Sequence, residues 1–318
     1  MNQSDKIFVA GHTGLIGSAL TQRLQVKGFD NLILSCHSEL ELTDAAAVDR
    51  FFDQHEPQYV LLAAGKVGGI MENQTCPADF MNANLAIQLN VLRAAHRTNV
   101  RKLILFGSSC MYPRECPQPM SESALLSGHP EPTSLSYAVS KLAGVQMCLA
   151  YNQQFGDQRY IPLIPNSVFG PNDNFEANSG HVLSALIRRI HEAREAGAQS
   201  LMLWGSGAPR REFIHSSDIA DACITLLAGD TSSIELPLNL GTGSDFSISE
   251  LAVTISRVVG YEGTIHWDTS KPDGAPRKLL DSSRLLAFGW QPVVDFEEGL
   301  RSTYQWYLDK ELNKETDS

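Results

Sequence analysis

Lys6-Ile-Phe-Val-Ala-Gly11-His12-Thr13-Gly14-Leu15-Ile16-Gly17-Ser-Ala-Leu20 is the stretch that decides the fold. A short apolar run enters three glycines spaced three apart, and an amphipathic segment leaves them. Gly11 suits a tight turn, Gly14 lets backbone approach a pyrophosphate, and Gly17 lets a helix pack closely on the strand. A helix starting there offers free N–H groups and the positive end of its dipole to phosphates. The spacing is GxxGxxG rather than GxGxxG, so the strand before it and the helix after it carry the reading. Together they predict a dinucleotide site at the head of an α/β domain.

Working outward, apolar runs recur at 31–34, 59–64, 102–106 and 160–164, with helical patterns between them, including 80–99 and 137–155. Such alternation predicts a Rossmann-type, doubly wound parallel sheet covered on both faces. From about Gly170 the texture changes. A polar loop, 171–180, precedes a basic helical segment, 181–195, and loop-like basic stretches follow at 204–211 and 271–278. These predict a smaller, interleaved α/β substrate-binding lobe of about 171–211 plus 244–318. The dinucleotide domain takes 1–170 plus about 212–243, with returns to the main sheet near 212–241.

With 318 residues and 43% hydrophobic content, the chain can bury a substantial core. A net charge of −11 argues against nonspecific nucleic-acid binding, so a phosphorylated substrate must be met by local cations. No apolar run approaches membrane-spanning length, and Met1-Asn-Gln-Ser-Asp5 has no signal-peptide pattern. Six cysteines (36, 76, 110, 116, 148 and 223) show neither CxxC spacing nor a disulfide framework. The expectation is a cytoplasmic protein with no membrane, nucleic-acid or metal partner.

The second apolar run ends at Ser35-Cys-His37-Ser38. An acidic residue there accepts from a ribose 2′-OH, whereas basic residues accommodate a 2′-phosphate. Neither Asp nor Arg is present. His12 and His37, with Ser35 and Ser38, predict an NADP(H) site that holds the phosphate less firmly than arginines would, and NAD(H) stays open. Asp44 is placed at the adenine.

Ser108 follows the run 102–107, and Tyr137-Ala-Val-Ser-Lys141 spaces a phenol and an ammonium four apart. On a helix those two share one face. A tyrosine with its ordinary pKa of roughly 10 is a poor acid–base group, and a nearby ammonium lowers that value. A tuned proton donor beside a carbonyl is what hydride transfer to a ketone needs. Cys110 lies two residues after Ser108, so strand periodicity predicts that it faces the same cleft.

These motifs resemble the extended short-chain dehydrogenase/reductase family. The resemblance narrows to the GDP-L-fucose synthases, which are 3,5-epimerase-4-reductases of GDP-4-keto-6-deoxy-D-mannose. Ala64-Gly-Lys-Val-Gly-Gly-Ile70, Gly107-Ser-Ser-Cys-Met-Tyr-Pro113, Asn172-Asp-Asn-Phe175, His181 and Lys271-Pro-Asp-Gly-Ala-Pro-Arg-Lys-Leu-Leu-Asp281 carry it. It runs from Ile7 to about Trp306. It implies that Ser108, Tyr137 and Lys141 serve reduction, that Cys110 is the epimerisation base, and that His181 is the paired acid. It implies that Arg189, Trp204, Arg211, Asp273 and Lys278 hold the GDP-sugar. Cofactor contacts fall on Gly11 to Gly17, His37, Leu42, Asp44, Ala63, Ala64, Gly65, Leu105, Phe106, Gly107, Tyr137, Lys141, Pro165, Asn166, Ser167, Val168 and His181. Leftover apolar stripes on helices 80–99 and 137–155 suit a four-helix bundle between two subunits, a homodimer.

Three departures stand out. His12 and His37 replace arginines. Ile164-Pro-Asn-Ser-Val-Phe-Gly-Pro171 replaces the usual Pro-Thr-Asn-Leu-Tyr-Gly-Pro, and Arg210 adds a cation beside Arg211. The chemistry fits these side chains. A 4-keto sugar has acidic C–H bonds at C3 and C5, and inversion needs a base on one face and an acid on the other. A thiol, ordinarily near a pKa of roughly 8.5, becomes a usable base beside a cation, and imidazole titrates near neutrality. The same chemistry on another nucleotide-linked 4-keto sugar, of colitose type or a heptose precursor, is the alternative reading. A non-catalytic NADP-sensing protein is a third.

Overall fold

The computed structural model describes residues 1–176, 180–271 and 273–316. Residues 177–179 of the polar loop and Pro272 of the Lys-Pro-Asp-Gly segment lie outside the described residues. The strands, in chain order, are β1 (Ile7–Ala10), β2 (Leu32–Ile33), β3 (Tyr59–Leu62), β4 (Lys102–Phe106), β5 (Tyr160–Pro165) and β6 (Ser167–Phe169). Then come β7 (Ser200–Trp204), β8 (Arg210–His215), β9 (Leu238–Leu240), β10 (Asp245–Ser247), β11 (Thr264–Asp268) and β12 (Arg277–Lys278).

The large sheet has the order β2-β1-β3-β4-β5-β9, and every pairing in it is parallel. The chain steps from β1 out to β2, then crosses back to β3 on the other side of β1. This reversal opens a crevice beyond the carboxyl ends of β1 and β3, where open α/β sheets bind ligands. Strand alternation divides the core. Ile7, Val9, Leu61, Ile104 and Phe106 pack on one face with Leu20 and Leu24 of helix Leu15–Val26 and Ile219 of helix Ser216–Ala228. Phe8, Ala10, Val60, Leu62, Leu103 and Leu105 pack on the other with Val48, Phe52, Val91, Leu92 and Val145. Strands buried on both faces read as continuous apolar runs, which is why these were legible.

The helix expected at 80–99 spans Pro77–Arg97. A proline in the first turn supplies no N–H where none is needed, so the helix starts earlier than its apolar pattern. It packs on helix Leu135–Phe155, where Gln88 Nε2 donates to the Ser140 carbonyl at 2.9 Å. Lys102 leaves the edge of β4 to cap helix Ser216–Ala228. Its ammonium donates to the carbonyls of Leu226 at 2.9 Å and Leu227 at 3.3 Å, and to that of Gly229. A cation at a helix C-terminus satisfies orphan carbonyls and the dipole together. Lys102→Met should therefore cost about 1–3 kcal/mol, read as a lower denaturation midpoint with an unchanged denaturant slope.

The return to the large sheet differs from the expected one. Only β9 joins it; β8 runs in a second sheet of order β10-β8-β12, with β6 alongside β8. The cause is local charge. Arg210, at the start of β8, pairs with Asp245 of β10 at 2.8 Å, and Arg277 of β12 bonds the same carboxylate. A third sheet pairs β7 with β11. A separate core of Phe169, Leu186, Ile187, Ile190, Leu203, Phe213, Leu251 and Ile255 supports this part of the chain. Between β5 and β6, Asn166 carries the backbone out of the large sheet into the second one. The ends of β4 and β5 thus meet β8 and β12, and the catalytic candidates lie at that junction.

Candidate active site

The glycine loop is built as its spacing requires. Gly11 has φ +82°, and a Cβ there would lie 2.8 Å from the Ala64 nitrogen at the end of β3. A Cβ on Gly17 would lie 2.0 Å from the Gly11 carbonyl oxygen, so strand and helix touch only because both residues are glycine. Gly14 is the N-cap of helix Leu15–Val26 and offers no side-chain cap, which leaves the first-turn N–H groups of Leu15, Ile16 and Gly17 for an anion. Beside it, His12 Nδ1 is buried with no hydrogen-bond partner among the described residues, and Thr13 is exposed. The cradle fits a dinucleotide pyrophosphate.

Two carboxylates that the sequence reading passed over flank the expected 2′ position. His37 Nε2 lies 2.6 Å from Glu41 Oε2. Glu39 accepts from the Cys36 N–H at 3.0 Å and the Ser35 hydroxyl at 3.4 Å. These bonds, Cys36 foremost and with a smaller contribution from His12, hold its carboxyl below the usual range. The signal available was an acidic residue a few positions past β2. Asp44 caps helix Ala45–His55, its carboxylate accepting from the N–H groups of Ala46 at 2.9 Å and Ala47 at 3.1 Å. Leu42 is buried, and its carbonyl accepts from Asn90.

At the carboxyl end of β4, Lys141 is buried and its ammonium donates to the Phe106 carbonyl at 3.0 Å. Gly65, after Ala63 and Ala64 at the end of β3, closes over it. A Cβ there would meet Asn84 Oδ1 at 2.9 Å and Lys141 Nζ at 3.4 Å. Asn84 was not anticipated. It is buried and clasps the backbone N–H and carbonyl of Lys66, holding that loop against the lysine.

Tyr137 corrects one expectation. Its hydroxyl is hydrogen-bonded to Ser108, but burial pushes the phenol above its ordinary value, and Cys110 pushes it the same way. The predicted depression by Lys141 does not prevail. The phenol is held neutral, as a proton donor must be. Burial lowers Lys141 from 10.5 to about 8. Its positive charge is therefore lost as pH rises through about 8, while the unfolded chain keeps that proton to about 10.5. Hence the cost of burying the ammonium is present at neutral pH and is released between those values. If the charged form is the working one, kcat/KM for reduction should fall about tenfold per unit above that limb. A profile flat well past the limb in the free enzyme would count against it.

Ser108 and Cys110 do come together, though not by strand alternation. Residues Ser109–Met111 form a single 3₁₀ turn, and the Ser108 hydroxyl caps it by accepting from the Cys110 N–H at 3.2 Å. Lys278 Nζ lies 3.9 Å from Cys110 Sγ. Arg211 also feels Cys110, although burial lowers its guanidinium more strongly. Pro165 ends β5, and Ser167 and Val168 belong to β6. His181 is the N-cap of helix Val182–Glu195 and is exposed. Its neighbour Asp173 is buried and accepts from the Ser184 hydroxyl at 2.6 Å. Burial raises this carboxyl, whereas the Ser184 bond and His181 lower it.

Three further candidates gather at β7. Arg189 Nη2 donates to the Met202 carbonyl at 2.6 Å. Trp204 is 70% exposed, with the Lys271 ammonium 5.8 Å from its ring centroid. Asp273 accepts from the Ser206 N–H at 2.9 Å and its hydroxyl at 2.6 Å. An exposed indole with an ammonium beside it suits a planar, anionic ligand. Among the described residues no group of three or more His, Cys, Asp and Glu could hold a metal. Among them, too, no helix is long and apolar enough to cross a membrane.

A glycine cradle at the sheet's switch point, with Ser108, Tyr137 and Lys141 at the end of β4, defines a nucleotide-dependent enzyme of the Rossmann class. The chain belongs to the NAD dependent epimerase/dehydratase family, which its residues 7–241 match. Within that class it is similar to GDP-L-fucose synthase 1 of Arabidopsis thaliana, at 51% identity over 98% of this chain and 96% of the relative. A GDP-6-OMe-4-keto-L-xylo-heptose reductase from C. jejuni superposes with TM-score 0.88 at 35% identity, covering 98% of this chain and 99% of that one. A GDP-L-fucose synthetase from Naegleria fowleri bound to NADP superposes with TM-score 0.88 at 28% identity, covering 98% and 96%.

Proposed function

We propose that the chain converts GDP-4-keto-6-deoxy-D-mannose into GDP-L-fucose by 3,5-epimerisation followed by NADPH-dependent 4-reduction. The observation that carries the reading is the gathering of Cys110, Ser108 and Tyr137 at the end of β4, in a chain 51% identical to a GDP-L-fucose synthase. Cys110 takes the proton from C3 or C5, and its C–H electron pair moves into the enolate. His181 returns a proton from the opposite face. The glycine cradle of Gly11, Gly14 and Gly17 would hold NADPH, which when bound would supply the hydride for C4. Tyr137 gives its proton to O4, and Ser108 hydrogen-bonds that oxygen as charge develops. Lys141 orients the nicotinamide ribose. Arg189 and Arg211 meet the diphosphate, and Trp204, Asp273 and Lys278 meet the rest of the GDP-sugar.

The cofactor is NADP(H), in keeping with the NADP-bound relative. NADH turnover is part of the proposal, because His12 and His37 replace arginines. The protein works as a cytoplasmic homodimer. Exposed Leu89, Leu135 and Val139 on helices Pro77–Arg97 and Leu135–Phe155 support a shared bundle. Residues 1–170 plus 212–243 form the cofactor domain, and 171–211 plus 244–318 the sugar lobe. The heptose reductase relative supports a second reading, the same chemistry on another GDP-4-keto sugar.

The test is oxidation of NADPH and of NADH with enzymatically prepared GDP-4-keto-6-deoxy-D-mannose, with the product read by NMR. GDP-L-fucose is expected. Oxidation without inversion would remove Cys110 and His181 from their roles. No turnover with either cofactor would move the proposal to another keto sugar.

A further inference from the structure

The second sheet sorts four cations into two pairs. β12 runs parallel to β8, with Arg277 opposite Arg210 and Lys278 opposite Arg211. Strand alternation sends the first pair to one face and the second to the other. On the first face Asp245 neutralises both arginines. On the second, Arg211 Nη1 donates only to carbonyls, of Arg210 and Ala275, both at 2.7 Å. Among the described residues, neither Arg211 nor Lys278 meets a carboxylate. What Lys278 faces is Cys110, its Nζ 3.9 Å from Sγ. An ammonium at that distance donates to the sulfur and fixes where it points.

The placement of Lys278 is itself built in. Glu212 is fully buried. Its Oε2 accepts from Asn166 Nδ2 at 2.6 Å and from the Leu280 N–H at 3.0 Å, and its Oε1 accepts from the Gly243 N–H at 2.7 Å. Asn166 Nδ2 also donates to the Lys278 carbonyl at 3.2 Å. The backbone around Lys278 is thus tied, at its own carbonyl and two residues on, to the corner where the chain leaves β5.

We infer that Lys278 is a positioning residue for the epimerisation base: its ammonium hydrogen-bonds the Cys110 sulfur, and the buried Asn166–Glu212 clasp sets where that ammonium points. The proton taken from the sugar goes to Sγ, the C–H electron pair stays on the enolate, and Lys278 keeps its own protons throughout. The inference rests on the proposed epimerase chemistry for its consequence, whereas the charge pairing itself needs no sugar.

The test therefore begins without substrate. The full-length protein is alkylated with iodoacetamide across a pH series, and modification at Cys110 is followed by peptide mass spectrometry. Lys278→Met should slow alkylation of Cys110 near neutrality about tenfold. Lys278→Arg should keep most of the wild-type profile. Asn166→Ala, which keeps the ammonium but loosens its placement, should fall between them. If Lys278→Met misfolds by circular dichroism, Lys278→Gln reads the same profile. An unchanged alkylation rate in the charge-removing variant would overturn the inference. So would a raised KM for the GDP-sugar with unchanged deuterium exchange, which would leave Lys278 as a substrate contact only. A shifted profile in a protein that turns over no GDP-4-keto sugar would uphold the pairing and overturn the proposed function instead.

Discussion

Tyr137→Phe should stop reduction while sparing exchange. Oxidation of NADPH by the GDP-keto sugar is expected to fall by roughly 10²- to 10⁴-fold, the usual worth of a positioned proton donor. Deuterium from solvent should still enter C3 and C5, because Cys110 and His181 are intact. The substitution removes one hydroxyl and little else. The ring keeps its edge contact with Phe80, at 6.1 Å between centroids. The Ser108 hydroxyl keeps the Cys110 N–H to cap its turn. Since burial holds this phenol neutral, the lost function is proton donation to O4. Cofactor affinity, measured by fluorescence titration, should change little. Cofactor oxidation at the wild-type rate would take Tyr137 out of the proton path.

How much of this was legible depended on how local the cause was. β1 and β4 fall at 7–10 and 102–106, as their apolar runs predict, because a strand covered on both faces is apolar along its buried length. The glycine loop was legible because Gly11 and Gly17 each answer to a clash, with the end of β3 and with the loop itself. Tyr137 and Lys141 share a helix face as their spacing requires. Spacing says nothing of depth, however, and depth decided the sign of the Tyr137 shift. The 3₁₀ turn at 109–111 was missed because a serine that could continue a strand instead caps its own turn.

The clasp was illegible for a different reason. In Arg210-Arg211-Glu212-Phe213, an acidic residue between arginines and an apolar stretch reads as solvent-facing. Its partners come from residues 166, 243 and 280, and no local pattern relates those positions. Glu39 and Glu41 were overlooked through attention to cations at the 2′ position. His37 is 88% exposed on its side chain, so its pair with Glu41 adds little energy. Its bearing is on which phosphate or hydroxyl that corner admits. Arg210, read beforehand as an added cation beside Arg211, turns to Asp245.

Cys110→Ser should abolish inversion. Exchange of deuterium into C3 and C5 is expected to drop by at least about 10²-fold, since a serine hydroxyl has no accessible anion at neutral pH to take the proton. Serine preserves the size of the side chain, and the cap on its turn comes from its backbone N–H. Folding and NADPH binding should therefore match the wild type, which separates the base from a small buried hydrophobe. Reduction should continue slowly on sugar that has not inverted, giving a 4-reduced product with the starting configuration at C3 and C5. That product, visible by NMR, is the sharper readout. It requires Tyr137 and Lys141 to work without Cys110, and the bond that holds Lys141, to the Phe106 carbonyl, does not involve the thiol. Exchange at the wild-type rate in the serine variant would assign the base elsewhere. The two uncompensated cations beside the thiol would then have to be explained by the diphosphate alone.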